Sequence, residues 1–505
     1  MRSPLSSSNG RTIPGASRRL VPWIVFGIFV VYLAASALPL AARPGGFDLA
    51  AFGRLPVWAN GRVQTFDSVA RTGFLQIRGP VTASLDTFKR PQARPATIDP
   101  TAWLLEVLAK PDAADTRRVF AIRDHELIGR LQLGVASSGT NYYAFDALGP
   151  KASEIQEHVR RIADVKAADR AGWQEELIAL RDKLVLYERL KNSLMPSTRL
   201  QSDANGKPVT FDFAAQLAAY QTDLAEALRV DAGRRRGSTE RLDVAAEMRI
   251  RAFAALFQVV SRTGVLAVIP APKMTGASNH WSNLGSVVVQ SAQGRQPSQP
   301  VAFFAGMSSA FAQGKPDSFN ALLAQYRQWL AANGLAAEAR KAAFEAFSNL
   351  LLPLARACAL YAVALLLVGL AWRARSATAY GSALMVVLLA SALHATGLLL
   401  ATIVAGRPSW IAVSGWAVGL AALVVERFRR GGHGALASAA IGLTTLVAAY
   451  ALAPGGAASL LRNVLDLGLA VAIGATVLVL PVRREPSAAR RPATAPQAAL
   501  ENRVA

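Results

Sequence analysis

The residues of this 505-residue chain best suited to bind a metal or move a proton are five histidines and one cysteine. His125, His158, His280, His394 and His433 are scattered, with no HxxxH, HExxH or CxxCH among them, so the sequence offers no paired imidazoles at one helical turn and no covalent c-type haem attachment. Cys358 stands alone, which excludes an intrachain disulfide, a CxxC redox pair and a cysteine-based zinc site. His394 differs from the other four because it lies inside a long apolar stretch. An ionisable group in lipid is costly and usually has a task, so His394 is the candidate ligand; the alternative is a neutral imidazole hydrogen-bonded within a helix bundle. His433 belongs to a basic loop, and His125, His158 and His280 read as surface residues of a water-facing domain. Asp67 with Arg62 or Arg71 reads as an ion pair that fixes a turn rather than as a catalytic pair. Glu426 and Asp466 fall at the ends of apolar stretches and read as interfacial. Gly431-Gly432-His433-Gly434 neither follows a strand nor opens a Walker-type lysine motif, so it gives no phosphate site.

The elements that must position these groups are set by hydropathy. A hydrophobic content of 52% with 17% charged residues is too apolar for an ordinary soluble enzyme and too polar for a pure membrane bundle. A bilayer core of about 30 Å needs roughly 20 apolar residues as helix. Six stretches come near that length: Leu20 to Ala42, then 354–372, 381–405, 410–425, 435–453 and 461–481, the fourth being the shortest. Arg2, Arg11, Arg18 and Arg19 precede the first, Arg373 and Arg375 follow the second, Arg427, Arg429 and Arg430 follow the fourth, and Arg483, Arg484, Arg490 and Arg491 follow the sixth. The opposite loops carry only Arg407 and Arg462. Basic loops stay in the cytoplasm, so both ends of the chain are expected inside and the region from 43 to 350 outside. Many of the arginines behind the formal charge of +22 fall in these loops, the remaining basic residues alternate with Asp and Glu along helical stretches, and with no aromatic-interleaved basic motif a nucleic-acid partner is not expected.

The expected fold is mostly α: a polytopic α-helical membrane protein of about six spans with a large α-rich extracytoplasmic domain. Its parts are a cytoplasmic N-tail (1–19), a first span (20–42), the extracytoplasmic domain (43–350), a five-span bundle (351–481) and a basic, Pro- and Ala-rich tail (482–505) expected to be disordered. The first span is read as an uncleaved anchor, with a cleaved signal peptide as the alternative. In the domain, Asn60-Gly61 signals a tight turn and Thr65 or Asp67 a helix cap. Trp103, Leu104, Val107 and Leu108 mark a helix, and a short strand is expected in the RRVFAIRDHELIGRLQL segment. Ile155, Val159, Ile162, Leu177, Leu180, Leu184 and Tyr187 form the apolar face of a helical hairpin. Further helices are expected near 210–232 and 239–263, loops around 270–300, and an amphipathic run from Pro316. The helix that starts near Ala336 is expected to run on without a stop, through Pro353, into the second span.

Several phrases together resemble the CcsA-type membrane proteins of the system II cytochrome c assembly pathway, in their long form with an extra outer domain. Leu55-Pro56-Val57, Gly61-Arg62, Asp67-Ser68 and Ala70-Arg71 match the opening of that family's outer region, with Thr65 where proline is usual. The segments WLLEVLAKP, VFAIRDHEL and YERLKNSL are similar too, and HATGLLLATIVAGRP, from His394 to Pro408, is similar to the family's H-x-x-G-L, span, G-R/H-x-P pattern. Two departures stand beside these. Ser409 to Ser414 replaces the usual Asn-Leu-Tyr phrase, and the tryptophan-rich WGxxWxWDPKE element of the haem-handling loop does not occur. The resemblance therefore implies a truncated or diverged member. It implies haem as cofactor, with His394 as an axial ligand, and a bacterial inner-membrane location with the large domain in the periplasm. Beside the lipid bilayer, the partners it implies are a haem-handling membrane protein, an apocytochrome c or a thiol-reducing assembly protein. The expected role is to bind and position rather than to catalyse. The rivals are an active haem lyase-type component using His394 and a structural membrane scaffold that recruits some other envelope protein.

Overall fold

The computed structural model describes residues 15–37, 45–79, 83–84, 97–134, 141–196, 211–270, 281–293, 298–406, 409–429 and 434–451. The sixth apolar stretch, His280, His433, Asp466 and the 482–505 tail lie outside them. The chain is mostly helical and divides into two compact units: Tyr32–Leu352 with Leu400–Arg407, and the remainder, which holds most of the apolar helices.

In the larger unit, the first helix α2 (Leu49–Gly53) is capped by Asp48; it follows α1 (Gly15–Ala37), whose last residues also belong here. Strands β1 (Pro56–Ala59) and β2 (Arg62–Thr65) make a hairpin with Trp58 opposite Val63. Asn60 and Gly61 both take positive φ, 52° and 79°, as a two-residue turn matched to strand twist requires. Thr65 then caps α3 (Phe66–Arg78), its hydroxyl accepting from the Ser68 amide at 2.9 Å. The short strands β3 (Ala83–Ser84) and β4 (Thr97–Ile98) pair ahead of α4 (Pro100–Ala109) and α5 (Pro111–Asp115). Pro100 sits where a helix needs no amide donor, behind the Asp99 cap.

The expected strand is β5 (Arg118–Ile122), which leads into α6 (His125–Arg130) and pairs with β6 (Asn141–Ala144). After α7 (Phe145–Leu148), helices α8 (Ala152–Ile162) and α9 (Gly172–Lys191) form the expected hairpin, with Ile155, Val159, Ile162, Leu177, Leu180, Leu184 and Tyr187 all buried. Next come α10 (Phe213–Arg234) and α11 (Val244–Thr263). The 270–300 region differs from expectation. Beside it runs β7 (Ala267–Pro270), and within it lie β8 (Trp281–Asn283), α12 (Leu284–Ala292) and the start of α13 (Gln299–Ala312). Strands β7 and β8 complete a four-stranded antiparallel sheet in the order β2-β1-β7-β8. Asn283 caps α12 through the Gly285 and Ser286 amides, so a Gly/Ser/Asn-rich stretch here supplies a cap rather than a long loop. Helices α14 (Pro316–Ala332) and α15 (Ala336–Leu351) close the unit around one continuous core that includes Trp103, Tyr187, Phe304, Phe319 and Tyr326.

The other unit contains most of α1 with α16 (Pro353–Ala374), most of α17 (Ala377–Ala405), α18 (Trp410–Arg429) and α19 (Gly434–Ala451). Among the described residues, three helical runs are long and apolar enough to cross a membrane: Leu20–Ala37, Ala336–Ala374 and Ala377–Val404. The apolar parts of α18 and α19, Trp410–Val425 and Ala435–Ala449, are shorter. The second run is not one helix. Helix α15 ends at Leu351, Leu352 takes the left-handed conformation (φ 45°, ψ 52°), and Pro353 opens α16. The unbroken helix through Pro353 is therefore replaced by a stop and restart, because proline restricts the residue before it and offers no amide to continue the ladder.

Candidate functional site

His394 sits on α17 with no exposed surface. Its Nδ1 lies 3.4 Å from the hydroxyl of Tyr361 on α16, the two rings meeting edge to face at 6.1 Å. Small residues let the helices come this close. A Cβ at Gly397 would collide with Leu354, one at Gly442 with the Tyr361 ring, and one at Gly415 with Thr445. Trp416 on α18 donates from Nε1 to the Ser391 carbonyl at 3.0 Å, one helical turn before His394. The result is an imidazole held by packing on several sides, with Tyr361 as its polar neighbour.

The other ring nitrogen, Nε2, is buried without a hydrogen bond of good geometry, although the Ala412 backbone on α18 lies close enough to interact with the imidazole. An orphaned buried nitrogen costs about 1–3 kcal/mol, and it is the atom an axial iron ligand would use. One feature weighs against a porphyrin there. The ring is wholly enclosed, so a macrocycle could reach Nε2 only if the helices parted. Cys358, half-buried on α16, belongs to no group of three or more His, Cys, Asp or Glu side chains among the described residues.

The second polar centre lies where α3 begins. Glu345 on α15, 5% exposed, receives two hydrogen bonds of 2.8 Å from Arg62 and a short one of 2.5 Å from the Ser68 hydroxyl. Asn349, one turn on, donates to Ser68 at 2.8 Å and to Asp67 at 2.9 Å. Asp67 in turn holds Arg71 and accepts from Thr101. Of the two expected partners of Asp67, Arg71 is the one it binds, while Arg62 pairs with Glu345. The Glu345 carboxylate hydrogen-bonds Arg62 and raises its guanidinium pKa, burial opposing. The network fastens the hairpin and α3 to α15.

A third cluster is more deeply buried. Lys191 lies 2.9 Å from Asp115, which also accepts from the Tyr187 hydroxyl at 2.9 Å, and the ammonium stands 4.5 Å from the centre of the Phe145 ring. Burial first, and then the charge of Asp115, push the Tyr187 phenol well above its usual range. A buried pair this well satisfied serves as a structural fastening. His125 is exposed, and His158 lies 3.8 Å from Glu154 on the surface of α8, as expected of both.

Sequence reasoning picked out His394, Asp67, Arg62 and Arg71 but missed Tyr361, Glu345, Asn349 and the Asp115–Lys191 pair. Their partners stand up to 283 residues away, and no local pattern records such pairing. No protein-family model matches the chain, and no curated protein is significantly similar to it.

Proposed function

We propose that this chain is a membrane component of c-type cytochrome assembly that binds and positions rather than catalyses. It works in a bacterial inner membrane with about six spans and with its larger unit on the periplasmic side. The phrases shared with the CcsA-type proteins support the pathway, and the alternation of basic loops supports the orientation. The observation that carries the positioning role is the network around Glu345. The residues that bear the resemblance at the start of the outer region, Arg62, Asp67, Ser68 and Arg71, are spent on one another and on α15. They build a rigid framework that presents a surface to an apocytochrome, a thiol-reducing protein or a haem-handling membrane partner.

The test is deletion of the gene in its host, followed by haem staining of membrane and periplasmic fractions. Loss of c-type cytochromes with the apoproteins still synthesised is the expected result; a normal cytochrome content overturns the reading, and recovery of the tagged protein with no cytochrome-assembly partner would point to a scaffold for another envelope process. The orphaned Nε2 of His394 favours a second reading, an active haem lyase-type component. In that case His394→Ala abolishes both maturation and the Soret band of the purified protein, and an unaffected strain removes it.

A further inference from the structure

Helix α15 presents two faces of inverted character. Its buried side carries Ala342 and Glu345, whereas Phe344 and Phe347 stand 45% and 41% exposed. The phenylalanines line a groove of about 490 Å³ together with Leu350, Ala37, Arg54 and Arg340. An adjoining groove shares Arg54 and Arg340 and extends to Arg327. The three arginines are exposed, and none has a carboxylate partner among the described residues. Solvent-exposed aromatic pairs rimmed by unpaired cations are uncommon on a surface that faces only water.

Two features of the chain place this groove at a bilayer surface. Ala37 belongs to the apolar run that begins at Leu20, so a helix continuous with a candidate membrane span forms one wall. The other wall, α15, ends two residues before Pro353, where the apolar helix α16 begins. Phe347 is six residues from Pro353, about 6 Å along α15 and at most about 13 Å in all with the two residues of the break, and the polar layer of each leaflet is roughly 5–8 Å deep. Aromatic rings favour that layer, and guanidinium groups bind phosphate in a bidentate fashion while their stems lie on apolar surface.

We infer that the Phe344–Phe347 groove with Arg54 and Arg340 is a docking site for an anionic phospholipid, its acyl chain against the phenylalanines and its headgroup phosphate on the arginines. The inference rests on α1 and α16 crossing the bilayer and stands apart from the cytochrome assignment. The occupant is a lipid rather than a protein segment because both walls are continuous with membrane runs and the rim is cationic.

The experiment uses the full chain in proteoliposomes, with Cys358→Ser removing the native thiol and a fluorophore placed on Ala343→Cys inside the groove. Phosphatidylglycerol and phosphatidylcholine, each spin-labelled high on the acyl chain, serve as quenchers. Phosphatidylglycerol is expected to quench more strongly, by roughly fivefold per arginine engaged. Arg54→Gln and Arg340→Gln, singly and together, should bring the ratio toward one with elution and helix content unchanged, and Phe344→Ser with Phe347→Ser should weaken both lipids. A label on Arg160→Cys, on the exposed face of α8, should be quenched by neither. Equal quenching by the two lipids, or a groove label that stays in water, overturns the proposal. So does a label shielded only in native membranes, which would assign the groove to a protein partner.

Discussion

Helices α14 and α15 follow each other in the chain, are both amphipathic, and are built in opposite senses. Along α14 the apolar positions Phe319, Leu323, Tyr326 and Leu330 repeat at helical spacing and all point into the core. Along α15 the phenylalanines face out and a glutamate faces in. The reason is what each helix meets. Phe319 packs against Phe47, Phe52 and Phe311, an apolar wall, whereas the inner side of α15 meets Arg62 on β2 and Asp67 and Ser68 at the start of α3. Amphipathicity tells which residues share a face. Only the neighbour tells which face is inside.

Substitutions on the two helices should pull that contrast apart. Phe319→Ala empties a fully buried site and should cost about 3–5 kcal/mol in thermal or denaturant unfolding of the detergent-solubilised protein. Glu345→Ala strips the buried partner from Arg62 and Ser68. Its cost should be about 3 kcal/mol, at the low end for a broken buried pair because Arg62 is partly exposed. An unchanged midpoint would show that the inward polar face of α15 holds nothing. Phe344→Ser, although it removes the same side chain as Phe319→Ala, should move stability in detergent by no more than about 0.5 kcal/mol. A loss as large as that of Phe319→Ala would mean that the two helices are packed alike.

A smaller effect is expected at the α10–α13 contact within the larger unit. The Ser309 hydroxyl, followed by the Ala215 and Ala214 amides and Gln313, holds the Asp212 carboxyl below its usual range, while burial opposes this. A carboxyl with a depressed folded pKa adds stability above its unfolded pKa and gives it up as pH falls through the folded value. Stability should therefore decline on the acid side of the carboxylate range, and Asp212→Asn should flatten that slope in unfolding measured from pH 7 down to about 2. An identical acid slope in the variant would place the sensitivity elsewhere.

The same contrast explains what could be read from the amino acids. The α8–α9 hairpin was legible because Ile155, Val159, Leu177 and Leu184 keep the helical period over whole turns and bury it. The cap at Thr65 and the turn at Asn60-Gly61 were legible because both are local chemistry. The pairing of β1 with β7 joins Trp58 to Ala267, and the Arg62–Glu345 contact spans a similar distance, so neither leaves a trace in any window of sequence. The stretch from 281 to 292 has a weaker excuse. Its Gly and Ser content suggested a loop, yet Val287, Val288 and Val289 and the Asn283 cap were there to be read. At the candidate site, His394 was found because an imidazole is conspicuous in an apolar run. Tyr361, its partner, was not, because a tyrosine in a membrane segment is ordinary.

The left-handed residue at Leu352 has a mechanical meaning. The Leu352 amide bonds back to Ser348, but Pro353 has none to offer, so the backbone hydrogen-bond ladder is interrupted at one point. Rotation about the Leu352 torsions is therefore opposed by no main-chain hydrogen bond from the residue that follows, which a helix running on through that point would have supplied.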